Sequence, residues 1–285
     1  MRRVHALPLV VVVLAAPLLG CEEGAPNARR KIREEHADRV KEVIAEDMAR
    51  HVEGVEDAAR RLAPGFVVED PTERERQMRV ALKYVQEPPR GVPEFIASPM
   101  SFLAAVGKDG LVMARDVDDE DDHMQGQDYA ARYALVRRAL AEGVPGYELG
   151  EFPSEEEGGK SSWSMLFVHP SVRDGEVVGA VVAGIPLWRM AQRLSRQLQA
   201  ERVSEDGIIL WVYMYKGDEL HHFGTPPDLD TVVPDAATRQ RGFERSPGGF
   251  TGEVQQFGRW YAWGALPTRR VGDDVGVIIF RADPM

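Results

Sequence analysis

A single cysteine, Cys21, occurs in 285 residues. A disulfide framework, a cysteine-built zinc site and covalent haem attachment are therefore excluded, and the chain must be stabilised by its packed core. The seven histidines show no His-Glu-x-x-His spacing, and no Gly-x-Ser-x-Gly nucleophile elbow is present. The acidic run Asp116-Val117-Asp118-Asp119-Glu120-Asp121-Asp122 lacks the glycine and the spaced ligands of an EF-hand, so it reads as a solvated rim. Together these absences predict a protein that is not an enzyme and holds no metal and no cofactor. Positive charge is also scarce: 35 Lys and Arg stand against 46 Asp and Glu, a formal net charge of −11. That balance argues against nucleic acid or an anionic bilayer as a surface-wide partner.

The one long apolar run, Leu7 to Leu19, follows Arg2 and Arg3 and falls short of the roughly 20 residues that a membrane-spanning helix needs. It reads as a secretory signal. Its end, Leu18-Leu19-Gly20-Cys21, resembles the bacterial lipobox, which implies cleavage before Cys21 and lipidation of its thiol. The competing reading is a plain signal, or an N-terminal membrane helix, with an incidental cysteine. With residues 1–20 as signal peptide and 21–27 as lipidated tether, processing removes Arg2 and Arg3 and leaves 33 basic against 46 acidic side chains, a charge of −13. The lipid rather than charge then makes the membrane a partner, which places the protein in the cell envelope, on the periplasmic side or the outer surface.

Residues 28–65 predict a long stalk helix. Val40, Ile44, Met48, Val52, Val55, Ala59 and Leu62 recur at spacings of three and four, and Pro64-Gly65 is expected to end it. His36 and His51 then fall on a solvated helix face. A shorter helix is expected over Thr72–Val85. Strands at Phe102–Val106 and Leu111–Arg115 flank the turn Asp109-Gly110, which favours tight antiparallel pairing. Tyr129, Tyr133, Val136 and Leu140 give one apolar face to a single helix. The strand through Trp163, Met165, Phe167 and His169 and the strand Glu176–Gly184 flank a second turn, Asp174-Gly175, and a helix follows Pro186. After residue 204 the order of hairpin, crossover and three strands recurs. The chain thus divides into residues 66–203 and 204–285 behind the stalk, an α+β protein with two antiparallel-sheet domains.

The runs Ala105-Val106-Gly107-Lys108-Asp109-Gly110-Leu111-Val112-Met113-Ala114-Arg115-Asp116, Gly126-Gln127-Asp128 and Asp174-Gly175-Glu176-Val177-Val178-Gly179-Ala180-Val181-Val182-Ala183-Gly184-Ile185-Pro186 resemble the Cache domains, extracytoplasmic PAS-like sensors. With the long leading helix and the second, smaller sheet, the chain is similar to the double-Cache arrangement. The resemblance implies a small ligand held between sheet and crossover in residues 66–203, the membrane-distal type of domain. Arg115 would clamp a carboxylate; Trp163, Met165 and Phe167 would form the floor and Tyr129 and Tyr133 the lid; Asp116 or His169 would complete the polar set. The plainer reading makes Trp163, Met165 and Phe167 core residues and pairs Arg115 with the acidic loop. Amino-acid-sensing members carry an arginine-aromatic signature in the crossover and an aspartate in the closing strand. Here the crossover reads Tyr129-Ala130-Ala131-Arg132-Tyr133 and Gly184-Ile185 brings no acid, so an amino acid is not supported, which leaves a small organic acid or no ligand at all.

The sequence therefore predicts a lipid-anchored ligand-binding or sensory module. No kinase, cyclase or membrane helix follows its last strand, so a separate membrane signalling partner is expected to read its occupancy. A second function, an envelope scaffold built on a degenerate form of the same fold, is motivated by Trp260-Tyr261-Ala262-Trp263 and His221-His222-Phe223.

Overall fold

The computed structural model describes residues 24–97, 100–118, 122–152, 162–202 and 205–284. The expectations at Cys21 and over residues 1–20, and those on residues 119–121, lie outside the described residues.

The leading helix starts at Pro26, whose fixed φ suits a first helical position. It runs as α1 (Pro26–Lys31), a π-helical turn (Ile32–His36) and α2 (Ala37–Phe66). Its apolar stripe is buried as the spacing predicts, with Val40, Ile44, Met48, Val55, Ala59 and Leu62 inside and Val52 half-buried. Two expectations fail here. Pro64-Gly65 does not end the helix at once: Pro64 cannot donate to the Arg60 carbonyl, yet the helix continues two residues further, to Phe66. His36 and His51 are not on a solvated face: His36 is fully buried and His51 is 3% exposed. Helix α3 (Pro71–Gln86) begins where the Asp70 carboxylate accepts a hydrogen bond from the Glu73 N–H at 2.8 Å, and a short α4 (Pro93–Ala97) follows.

Strands β1 (Phe102–Gly107) and β2 (Val112–Arg115) form the first hairpin. The crossover is two short helices, α5 (Tyr129–Arg132) and α6 (Ala134–Glu142), rather than the single helix that the spacing suggests. Tyr133 between them is extended, with φ −116° and ψ 118°. The break is pinned to the next strand, because Arg132 Nη2 and Tyr133 Oη both donate to the carbonyl of Glu151, at 2.7 and 3.3 Å. That strand, β3 (Gly146–Phe152), has two glycines and two glutamates and gives little strand signal in the sequence. Strands β4 (Ser162–Arg173) and β5 (Glu176–Pro186) pair around Asp174 and Gly175, both at positive φ (54° and 85°), the geometry of a two-residue hairpin turn. The sheet order is β2-β1-β5-β4-β3, antiparallel throughout.

Helix α7 (Leu187–Ala200) leads into the second sheet, built from β6 (Ile209–Lys216), β7 (Glu219–His221), β8 (Phe250–Gln256), β9 (Arg259–Pro267) and β10 (Val275–Ala282). Its crossover holds α8 (Pro227–Asp230) and α9 (Ala236–Arg245). The order β7-β6-β10-β9-β8 repeats the topology of the first sheet strand for strand. The fold is thus α+β, as the sequence predicts, with one long helix and two five-stranded antiparallel sheets.

Each sheet is covered on both faces. The largest core packs α2, α3 and α7 against the inner faces of both sheets, through residues such as Leu62, Leu103, Phe167, Leu194, Val212 and Ile279. The opposite face of each sheet packs on its own crossover. A buried polar knot fastens the start of the long helix to the second sheet: Arg281 Nη1 donates to His36 Nε2 at 2.9 Å, and Arg281 also pairs with Glu205 and Asp283.

Candidate functional site

The side-chain period of two decides which residues of the first sheet can meet the crossover. On β1, Phe102, Ala104 and Val106 face it; on β4, Leu166 and Val168; on β5, Ala180 and Val182. They pack against Tyr129, Tyr133, Leu135 and Val136 of the crossover. The alternate residues Leu103, Ala105, Met165, Phe167, Val181 and Ala183 face the long helix.

Of the eight residues that the sequence proposes for a ligand, three come together on the crossover face. Tyr129 and Tyr133 are buried there with ring centroids 5.1 Å apart, edge to face. Arg115 pairs in register with Ala104 and so shares that face, its guanidinium carbon 5.7 Å from the centre of the Phe102 ring. The expected floor is not there. Met165 and Phe167 are core residues under α2, Phe167 standing 5.2 Å from the His51 ring. Trp163 packs beside the same helix-side core, with the Lys216 ammonium 5.1 Å above its ring. His169 follows the same alternation and contacts the Pro170 carbonyl through Nδ1 at 2.9 Å. Asp116 turns the other way from Arg115, toward α3, and accepts from Gln86 Nε2. Both faces of β4 are apolar, and the bulkier one goes to α2, which offers the longer apolar stripe.

Two residues that the sequence reading passed over, Phe152 and Arg132, complete this cluster. Phe152 stands 5.4 Å from Phe102 and 5.7 Å from Tyr133, and Arg132 lies over both Tyr133 (5.4 Å) and Phe152 (5.7 Å). Two glycines give these rings their places. A Cβ at Gly184 would sit 2.1 Å from Phe102 Cε1, and one at Gly150 would sit 2.9 Å from Tyr133 Cε1 and 2.5 Å from Leu166 Cδ1. Phe102 was legible as the start of a strand whose alternate residues share the face of Arg115. Phe152 sits on the strand that the sequence hardly shows.

The electrostatics suit an anion with an apolar body. Arg115 Nε is buried with no hydrogen-bond partner among the described residues. Burial holds the Tyr129 phenol well above its ordinary range and pushes Tyr133 up to about 12, so both hydroxyls stay protonated at neutral pH. Tyr129 donates to the Met124 sulfur at 2.8 Å. Burial also raises the Asp116 carboxyl, against the pull of the Leu103 backbone and of Arg115. Of the described residues of the acidic run, the Asp122 side chain is buried and paired with Arg79 at 2.9 Å, whereas Asp118 pairs with Lys83 and stays exposed. Among the described residues no group of three or more His, Cys, Asp or Glu converges to hold a metal.

No protein-family model matches the chain, and no curated protein does. Solved structures match its architecture. The ligand-binding domain of the Campylobacter jejuni chemoreceptor Tlp3, in complex with 4-methylisoleucine, is similar at TM-score 0.54 and 9% identity, covering 90% of this chain and 89% of that one. The sensor domain of the V. cholerae histidine kinase DctB is similar at TM-score 0.51 and 11% identity, covering 89% and 96%. An extracellular ligand binding receptor from Desulfohalobium retbaense gives TM-score 0.50 and 12% identity over 86% of this chain, which spans only 39% of that longer one. Similarity at this level shows the fold alone, a long helix with two five-stranded antiparallel sheets in the double-Cache-like arrangement.

Proposed function

We propose that the chain is an extracytoplasmic small-molecule-binding sensory module that takes a small organic acid on the crossover face of its first sheet. One observation carries this reading: a half-buried arginine, Arg115, whose Nε is itself buried and has no hydrogen-bond partner among the described residues, beside a cluster of Phe102, Tyr129, Tyr133 and Phe152. A guanidinium that is desolvated without a hydrogen-bond acceptor is costly, and a carboxylate placed against it recovers that cost through a charge-assisted bond. The aromatic rings supply the apolar wall that small-molecule sites share. Similar folds in chemoreceptor and kinase sensor domains support the sensory role, and Leu18-Leu19-Gly20-Cys21 supports lipid anchoring at Cys21, with occupancy read by a membrane signalling partner.

A thermal-shift screen of mono- and dicarboxylates on the purified chain tests the ligand class, since binding only the folded form raises Tm. At least one carboxylate should raise Tm, and R115Q should remove that rise. No rise with any carboxylate at up to about 10 mM, where even sub-millimolar ligands would show, refutes the reading. Metabolic labelling with a fatty acid, lost in C21S, tests the anchor.

A second reading, an interaction surface, is favoured by one observation. Phe223 is 60% exposed and packs 5.7 Å from Trp188, itself 37% exposed. The tryptophans of Trp260-Tyr261-Ala262-Trp263 are half-buried and Tyr261 is core, so Trp188 and Phe223 rather than that run would anchor a partner.

A further inference from the structure

Helix α7 carries Arg189, Arg193 and Arg196 at spacings of four and three, which sets three guanidinium groups along one face. All three line one cavity of about 460 Å³ between α7 and α2, whose base is Ile185 and Met190. In a chain with an excess of 11 negative charges, this lining is the reverse of the whole. Asp47 is its one carboxylate, and that charge is divided between Arg193, at 2.7 Å, and Arg50, at 3.3 Å. Arg189 Nη1 donates to a neutral hydroxyl, Ser101 Oγ, at 3.0 Å. Arg196 is exposed and makes no hydrogen bond or ion pair with the described residues. Gln192 adds an amide at the wall, while Gln197 gives its own N–H to Glu201 at 2.7 Å.

From this arrangement we infer a second binding site, separate from the crossover face, for a small multivalent anion bearing two or more carboxylate or phosphate groups. The volume is that of a small-molecule site. Guanidinium forks match the planar oxygen pairs of carboxylate and phosphate, and three forks against one shared carboxylate leave the site short of negative charge. Ile185 points to the helix side of the first sheet, whereas Phe102 and Tyr133 lie on the other side, so the two sites do not share a wall. The place matters for signalling. Helix α2 packs on β4 and β5 of the first sheet and α7 packs on β6 of the second, so an anion here sits where a helix of one sheet meets a helix of the other. It would take Arg193 from Asp47 and so loosen an ion pair that ties α7 to α2.

Calorimetric titration of citrate and of inorganic pyrophosphate into the purified full chain at low ionic strength is the test. Both should bind, at concentrations of about 1 mM or below. R196Q should weaken them about five- to tenfold, the loss of one charge-assisted contact at an exposed position. D47N should act in the opposite direction and tighten them about threefold or more, by releasing Arg193 from its competitor. Pyrophosphate brings no carboxylate, so its affinity should be unchanged in the presence of a saturating monocarboxylate, which separates this site from the carboxylate site on the crossover face. Absence of binding by both anions, equal affinity in wild type and R196Q, or weakening in D47N overturns the proposal. So does capture of the chain by phosphatidylglycerol vesicles without binding of either free anion, since that places a bilayer rather than a soluble anion against the arginines. If D47N fails to fold, the exposed Arg196 variant decides alone.

Discussion

Gly184→Ala should disrupt the candidate site without touching a single polar group. Gly184 lies between Phe102 and Leu166 in register, and an added methyl there would stand 2.1 Å from Phe102 Cε1, 2.5 Å from Cζ and 2.9 Å from Cδ1. Ordinary carbon contacts are about 3.5–4.0 Å, so the ring must move by more than an ångström, out of its edge contact with Phe152 and from beneath the Arg115 guanidinium. Such overpacking costs about 1–3 kcal/mol. At about 2–4 °C per kcal/mol for a chain of this size, Tm should fall by about 2–12 °C. Phe102→Leu removes the ring carbons that clash and costs something itself through the cavity left behind. In that background the added methyl has space, so Gly184→Ala should be nearly silent. A double-mutant cycle read by chemical denaturation should therefore show a coupling of about 1 kcal/mol or more. Additive effects within about 0.5 kcal/mol, or a G184A chain as stable as wild type, would refute the packing that places Phe102 in the site.

Two further predictions concern the frame around the site. His36 is fully buried, accepts from Arg281, and is depressed from 6.5 to about 4, chiefly by burial and then by the Arg281 charge. Protonation therefore favours the unfolded chain: the stability is whole above pH 6.5 and is lost as pH falls toward 4, by about 3 kcal/mol. Urea denaturation at pH 7 and pH 4 should show H36Q losing about that much less than wild type; the same slope in both would remove His36 from the account. Arg79 is buried and holds Asp122, Glu75 and the Val117 carbonyl, tying α3 to the chain beyond β2. R79A leaves the Asp122 carboxylate buried without its cation and should cost about 3–5 kcal/mol by chemical denaturation, whereas a cost below about 1 kcal/mol would mean the pair is solvent-screened.

How much of this was legible in the sequence differs by element. The long helix announces itself through a stripe at spacings of three and four, and both hairpins of the first sheet through Asp-Gly turns, so the α+β frame and its repeat could be read directly. What the sequence hides is the choice between two apolar faces. Ser164, Leu166 and Val168 on one side of β4 and Met165 and Phe167 on the other are both plausible interiors, and only the packing of α2 assigns them. The same packing moved His51 from an expected surface into the core, and the contact of the π-helical turn with the second sheet did so for His36. Strand β3 escaped because Gly146, Glu148, Gly150 and Glu151 dilute its pattern. Its glycines serve neighbours, Gly150 making space for Tyr133 and Leu166, and with that strand unread Phe152 could not be placed in the site. That Arg115 ends the first hairpin was legible from the Asp109-Gly110 turn, whereas the ligand role given to it rests on the family resemblance.

The central claim is that a small acid binds on the crossover face of the first sheet. Two methionines report the two faces: Met124, which accepts the Tyr129 hydroxyl bond, and Met165, buried in the core under α2. With carbon-13 methyl labels on the methionines and the carboxylate that raises Tm most, titration followed by NMR should move the Met124 signal and leave Met165 in place. A shift at Met165 with Met124 unmoved, or no shift at either, would contradict the account.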